Sequence, residues 1–180
     1  MITADLLLLV GIIVLLIIAS AFFSSAETAL TAASDARMRQ LASKGNRRAS
    51  LVERLRDDRE GLIGSILIGN NAVNVIASAL ATSLFISLFD EAGVLWATLV
   101  MTVVLVVFAE VMPKTYALTY SDKYALAIAP MVRAVVIILS PLAIALRMLA
   151  NRLIGKRRTD DSDREEELRG MIELHGADGD

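Results

Sequence analysis

The chain has 180 residues, of which 56% are hydrophobic, and its formal net charge is −2. The hydrophobic residues are concentrated in runs near the ~20 residues that a membrane-spanning helix needs, which indicates an integral membrane protein. There is no cysteine, and the single histidine, His175, lies in a polar tail. Disulfides and thiolate metal sites are therefore excluded, and a zinc site is not expected.

The first three apolar runs predict transmembrane helices at residues 5–33, 61–89 and 93–118. The first run has no basic residue before it and is too long for the apolar part of a signal peptide, so we interpret it as a retained helix. A polar segment with eight Lys and Arg residues follows at 34–60. This positive charge predicts that the segment is cytoplasmic and that the N-terminus is outside.

The segment at 34–60 is predicted to form amphipathic juxtamembrane helices, because its apolar residues recur at helical spacing. Gly45-Asn46 indicates a turn between two short helices. The second and third spans are joined by a short polar loop at 90–93, and Trp96 beyond it is placed like an interfacial anchor. The chain is then expected to return to the cytoplasm near Ser121.

The fourth apolar run, residues 124–154, predicts a re-entrant or shallow helical hairpin. Ser140-Pro141 divides it into halves of about fifteen residues, which are short for a ~30 Å hydrocarbon layer. Basic residues follow at 156–158, so both ends are expected to be cytoplasmic. A single kinked fourth span, which would place the tail outside, is the alternative. The acidic tail at 159–180 has apolar residues spaced for an amphipathic helix that docks on another surface.

Each of the three predicted spans contains polar residues at a similar depth. These are Ser24, with Ser25, Glu27 and Thr28 nearby; Gly69, Asn70 and Asn74; and Glu110, followed by Pro113. At 1.5 Å per residue, Ser24, Asn70 and Glu110 each lie about 12–13 Å from the predicted cytoplasmic end of their helix. The sequence therefore predicts that the three groups meet in the inner half of the membrane.

These residues offer only oxygen ligands: a carboxylate, amide oxygens, hydroxyls and a carbonyl that Pro113 cannot bond. Oxygen ligands suit a hard cation such as Mg²⁺, Ca²⁺ or Na⁺. Structural roles remain open. The hydroxyls could join packed helices, the asparagines could bond across a dimer seam, Glu110 could pair with Lys114, and Glu27 could reach the interface.

Other function classes are not expected. No nucleophile–base pair or phosphate-binding loop is present, so the chain is not expected to be an enzyme. Nucleic-acid binding is not expected either, because the basic residues at 37–59 alternate with acids and adjoin a membrane helix.

Several motifs together resemble those of a known family. In chain order they are FFSSAETALTAAS, LIGNNAVN, FAEVMPKTYAL, SPL and EEELRGMIEL. They resemble the CNNM/CorC family, and more closely the transmembrane module called DUF21 in bacterial CorC- and CorB-like proteins. The resemblance implies a homodimeric magnesium transporter of the bacterial cytoplasmic (inner) membrane. It also implies Na⁺ as a coupling ion, and a cytoplasmic pair of CBS motifs that binds ATP.

The resemblance assigns the metal ligands to Ser24, Asn70, Asn74 and Glu110, with the Gly69 carbonyl as a further candidate and Ser25 and Thr28 as weaker ones. It makes residues 1–158 the transmembrane domain and 159–180 the start of a helix leading to a CBS-pair domain that the chain lacks, so ATP would act only through that domain. A membrane scaffold or Mg²⁺ sensor without transport, and a transporter of another cation, are the alternatives.

Overall fold

The computed structural model describes residues 2–154, and within them the secondary structure is helical, without strands. This confirms the predicted all-α class. The helices are α1 (Ile2–Ala32), α2 (Asp35–Ser43), α3 (Arg47–Asp57), α4 (Arg59–Phe89), α5 (Gly93–Val104), α6 (Met112–Thr119) and α7 (Ser121–Ile154). A 3₁₀ turn (Asp90–Ala92) joins α4 to α5, and a π-helical segment (Leu105–Val111) joins α5 to α6. The predicted tail helix at 159–180 lies outside the described residues.

Three helical stretches are long and apolar enough to cross a membrane, namely Ala4–Ala32, Arg59–Thr119 and Ser121–Leu149. The 61-residue stretch is a pair of helices, since α5 folds back on α4. At the reversal Asp90 has a φ of 51°, and a Cβ on Gly93 would collide with the backbone of Phe85. Only glycine permits this close approach, so the turn residues fix where the two helices separate.

Helices α2 and α3 lie at one end of the bundle, called here the base. Their first turns are capped by side chains, because Ser34 accepts a hydrogen bond from the Arg37 N–H and Asn46 accepts two, from the N–H groups of Arg48 and Ala49. Gly45 turns the chain between them with a φ of 86°. Arg56 donates a 2.9 Å hydrogen bond to the Ala33 carbonyl, so the ends of α1 and α3 lie at the same level.

Two apolar clusters hold the helices together. The cluster near the base unites α1, α2, α3, α4, α6 and the first half of α7, with the buried residues Ala26, Leu30, Met38, Val52, Ile66, Ala117, Ala129 and Val132 among its members. The second joins α1, α4 and α5 farther from the base, through Ile13, Ala77, Ala81, Leu84 and Met101. Many members are alanines, which let membrane helices approach closely.

The fourth apolar run differs from its prediction. No reversal occurs at Pro141; α7 is one helix that contains both Pro130 and Pro141. Pro141 cannot donate to the Ile137 carbonyl four residues earlier, but the Ser140 hydroxyl donates to that same carbonyl at 3.1 Å. Serine side chains satisfy the backbone groups that proline leaves free in membrane helices, so the helix continues through this proline.

The contacts of α7 attach residues 121–143 to α1 and α4. At its start, Asp122 accepts a 2.8 Å hydrogen bond from the Ser34 N–H. Farther along, the Cβ of Ala143 lies 3.8 Å from where a Cβ on Gly64 would stand. Gly64 lies only about 8 Å along α4 from Arg59, where α4 begins. If α7 ran parallel to α1, Ala143 would instead lie about 32 Å from Asp122, where α7 begins. Leu139 lies against Gly69, about 15 Å along α4, so residues 121–143 run obliquely to α1 rather than parallel to it.

Candidate metal centre

Polar side chains occur along the line of contact between α1 and α4, called here the polar seam. Its central contact is a 2.8 Å hydrogen bond from the Ser20 hydroxyl to the amide oxygen of Asn70. Ser20 is completely buried, and the sequence analysis did not select it. Its spacing was the sequence signal that could have identified it. Ser20 precedes Ser24 by one helical turn and therefore lies on the same face of α1.

The helices meet in a register that the predicted depths did not anticipate. Helix α4 begins at Arg59, where Asp58 caps it by accepting from the Gly61 N–H, so Asn70 lies about 16 Å along its helix. Because α1 and α4 run in opposite directions, Ser24 lies one turn toward the base from the Ser20–Asn70 pair. Asn74 lies one turn away from the base. The polar residues of α1 and α4 thus form a column along the seam rather than a single level.

Three buried oxygen atoms in the described part of the chain have no hydrogen-bond partner. They are Ser24 Oγ, Ser65 Oγ and Asn74 Oδ1. Leaving such a group buried and unpaired costs about 1–3 kcal/mol, so native proteins usually supply a partner. An ion or a water molecule between α1 and α4 would supply one. Ser24 and Asn74 are both predicted metal ligands, whereas Ser65 is not among the predicted ligands.

Gly69 allows α1 and α4 to approach closely beside the seam. A Cβ at this position would stand 2.6 Å from the ring of Phe23 and 3.1 Å from Leu139. Cβ contacts as short as 2.6 Å are essentially never found, so a side chain here would push the Phe23 ring away. The absence of a side chain at Gly69 thus keeps α1 close to the asparagine-bearing turn of α4.

Glu110 lies in the π-helical segment, which packs against α1. Its side chain is half-buried, and within residues 2–154 no ion pair or hydrogen bond to it is found. The alternative in which Glu110 pairs with Lys114 is not observed. Lys114 Nζ instead lies 4.0 Å from Glu27 Oε2. Among the described residues the Glu110 carboxylate has no cationic partner, whereas Glu27 has one in Lys114.

The π-helical segment is a feature that the sequence analysis missed. The Met112 N–H bonds to the Val107 carbonyl five residues earlier, and Pro113 follows at once with no N–H to donate. Pro113 therefore leaves one backbone carbonyl of this turn without a donor. That carbonyl belongs to Phe108 if the bonds follow the π pattern and to Ala109 if they follow the α pattern. The sequence offered one signal for this turn, which was a glutamate three residues before a proline inside an apolar run. The π-helical turn stands at this pair, and such turns are frequent at functional sites.

The two weaker candidates are occupied by local bonds. The Ser25 hydroxyl contacts the Tyr124 hydroxyl at 2.9 Å and donates to the Phe22 carbonyl at 3.0 Å. The Thr28 hydroxyl donates to the Ser24 carbonyl at 3.1 Å. Neither hydroxyl is unpaired in the way that Ser24 Oγ is. Within residues 2–154, no group of three or more His, Cys, Asp or Glu residues converges.

These features define a helical membrane protein with an oxygen-lined seam between its first two long helices. Comparison with known proteins gives the family. Residues 11–180 match the family model described as the Cyclin M transmembrane N-terminal domain (CNNM). The chain belongs to this family, which confirms the CNNM/DUF21 resemblance of its motifs.

Several known proteins are similar to this chain in sequence. The UPF0053 inner membrane protein YfjD of Escherichia coli is 42% identical over 135 residues, which cover 75% of this chain and 32% of that protein. A UPF0053 protein of Haemophilus influenzae is 40% identical over 112 residues, or 62% of this chain and 27% of the other. The metal transporter cnnm-4 of Caenorhabditis elegans is 34% identical over 119 residues, or 64% and 24%. The matched part is thus a quarter to a third of each of these relatives.

Proposed function

We propose that the chain is the membrane part of a cation transporter whose substrate is Mg²⁺, and that it is not an enzyme. The observation that supports this most directly is the pair of buried, unpartnered oxygens, Ser24 Oγ and Asn74 Oδ1, on the two sides of the Ser20–Asn70 contact. Burying unsatisfied polar atoms between membrane helices is costly, and such groups commonly mark ion pathways. The family relationship and the name of the nematode relative agree with this proposal.

The proposed ligands have two different chemical roles. Glu110 supplies the negative charge that compensates a divalent ion, while Ser24, Asn70, Asn74 and the Gly69 carbonyl supply neutral oxygens. Mg²⁺ prefers oxygen ligands at 2.0–2.1 Å in octahedral geometry and keeps several waters. A column of oxygens along the seam suits a partly hydrated ion that moves from one set of ligands to the next.

Transport requires that the seam open toward each side in turn. The Ser20–Asn70 bond can persist while the ion binds, because an amide oxygen has two lone pairs and accepts from both. The backbone of the π-helical segment is irregular at membrane depth, which is tolerated where it lines an ion site and allows local rearrangement. Na⁺ as the coupling ion, a homodimer and a cytoplasmic CBS-pair partner are further parts of the proposal that come from the family resemblance.

The test measures Mg²⁺ flux into liposomes that contain the purified chain. It compares two single substitutions of asparagine, one as the test variant and one as its control. Asn74→Ala removes a buried seam oxygen, whereas Asn71→Ala changes an exposed amide on the next face of the same helix. We expect the first to reduce flux at least about tenfold, the effect of ~1.4 kcal/mol, and the second to leave flux unchanged. Equal flux in both variants would contradict the ligand assignment.

The same preparation separates transport from a scaffold or sensor role and identifies the cation. Ion binding without flux in the unmodified chain would favour the sensor. Competition among Mg²⁺, Ca²⁺, Mn²⁺ and Na⁺ in a binding titration reports selectivity, and preference for a larger ion would contradict Mg²⁺ as the substrate.

A further inference from the structure

A second feature with binding potential lies at the base, away from the polar seam. A cavity of about 430 Å³ opens between α3 and α7, and four arginines line it: Arg47, Arg48, Arg54 and Arg133. Among the described residues that line this cavity there is no carboxylate. In the described residues, none of the four guanidinium groups has an ion pair or a hydrogen bond through its side chain. We call it the arginine pocket.

The charge of the arginine pocket is not a general property of this surface. A neighbouring cavity of about 230 Å³ is lined by three arginines and three carboxylates, so its charges balance. The acids of α3, Glu53 and Asp57, both line that balanced cavity. Helix α3 thus turns its carboxylates to one side and leaves Arg47, Arg48 and Arg54 on the other without compensation.

Arg133 connects the arginine pocket to an exposed apolar surface of α7. It lies within the long apolar stretch of α7, and Ile137, one turn farther on the same face, is 61% exposed. A charged residue in such a stretch reaches toward the headgroup level while apolar neighbours contact acyl chains. The arginine pocket therefore has a charged mouth and an apolar edge.

We propose that the arginine pocket binds the phosphate headgroup of an anionic phospholipid. Guanidinium groups bind phosphate oxygens in pairs, and basic cavities beside membrane helices suit anionic headgroups. The headgroup phosphate would lie among the arginines, with the acyl chains along Ile137. At the start of α3 the N–H groups of Arg48 and Ala49 already donate to Asn46, so the arginine side chains provide the binding.

The test uses native mass spectrometry of the full chain with equal amounts of phosphatidylglycerol and phosphatidylcholine of identical acyl chains. We expect preferential retention of phosphatidylglycerol. The double variant Arg54→Gln/Arg133→Gln should weaken retention about 30-fold, since each basic residue near an anionic surface changes binding about fivefold. The matched control, Arg39→Gln/Arg59→Gln, removes the same charge from the balanced cavity and should retain the lipid.

Further arms distinguish other occupants. Arg133→Lys keeps the charge and the fold but not the paired geometry, so intermediate retention is expected. Equal loss in the variant and its control, or no loss in either, would overturn the proposal. Binding of inorganic phosphate without preferential retention of phosphatidylglycerol would also overturn it, because the site would then be one for phosphate alone. In a further outcome, phosphatidylglycerol is retained only when the acidic tail is neutralised in the full-length variant Glu165→Gln/Glu166→Gln/Glu167→Gln. That result would assign the arginine pocket to the acidic tail and would also overturn the proposal.

Discussion

Ser20 and Asn70 join the first and second long helices through a 2.8 Å hydrogen bond between a hydroxyl and an amide oxygen. This bond sets the register of the polar seam and holds the amide in one orientation. Asn70 can therefore present its remaining lone pair to an ion without first becoming ordered, which favours binding.

Ser20→Ala should weaken Mg²⁺ binding by about two- to threefold, because an interhelical hydrogen bond between membrane helices is worth about 0.6 kcal/mol. Isothermal titration of the purified chain measures it, with Ser83→Ala, at an exposed position of α4, as the control. Tighter binding by Ser20→Ala would mean that the hydroxyl competes with the ion for Asn70, contrary to the register proposed for the site.

Glu110→Gln keeps the size of the side chain but removes the charge that compensates a divalent cation. We expect Mg²⁺ flux to fall by at least about a hundredfold, equivalent to ~2.7 kcal/mol of lost ion stabilisation. Glu91→Gln in the exposed turn after α4 removes the same charge elsewhere and should leave flux unchanged. Normal flux in Glu110→Gln would remove this residue from the ligand set.

Gly69→Ala places a methyl group against the Phe23 ring and should destabilise the fold by about 1–3 kcal/mol, the usual cost of overpacking. The matched control is Gly11→Ala, because a Cβ at Gly11 meets nothing within 4 Å and alanine favours the helix. Thermal unfolding in detergent should show a lower midpoint for the first variant only. Equal midpoints would show that Phe23 moves away freely.

Asp122→Ala should loosen the attachment of α7 to the base. Its carboxylate accepts from the Ser34 N–H and pairs with Arg37 at 3.2 Å. The side chain of Asp122 is 21% exposed and that of Arg37 58%, so we expect a modest loss of about 1 kcal/mol. Lys123→Ala, at the exposed neighbouring position, should have no effect. Hydrogen exchange in residues 121–130 measures the loosening, and unchanged exchange in Asp122→Ala would contradict it.

The predicted orientation can be tested because the chain contains no cysteine. Glu91→Cys should react with an impermeant maleimide added outside intact cells. Arg39→Cys and Lys123→Cys should react only after the membrane is opened, since the positive-inside rule places the base in the cytoplasm. The reverse labelling pattern would invert the predicted topology.

Much of the fold could be predicted because hydropathy acts locally. Three long helices, the juxtamembrane pair and the loop near Asp90 each depend on residues close together in the chain. The prediction for 124–154 deviated at Pro141, where a hairpin was expected, because the Ser140 hydroxyl bonds the carbonyl that the proline frees. Hydropathy contains no information on such a bond.

The sequence by itself determined which polar residues lie inside the membrane helices: Ser24, Asn70, Asn74 and Glu110 are visible as interruptions of apolar runs. Only the tertiary structure decided how they are arranged. The Ser20–Asn70 bond shifts α4 relative to the predicted depths, Gly69 brings it close to Phe23, and the π-helical segment sets the turn that contains Glu110. Depth along one helix follows from counting residues, whereas register between helices depends on how side chains distant in sequence fit together.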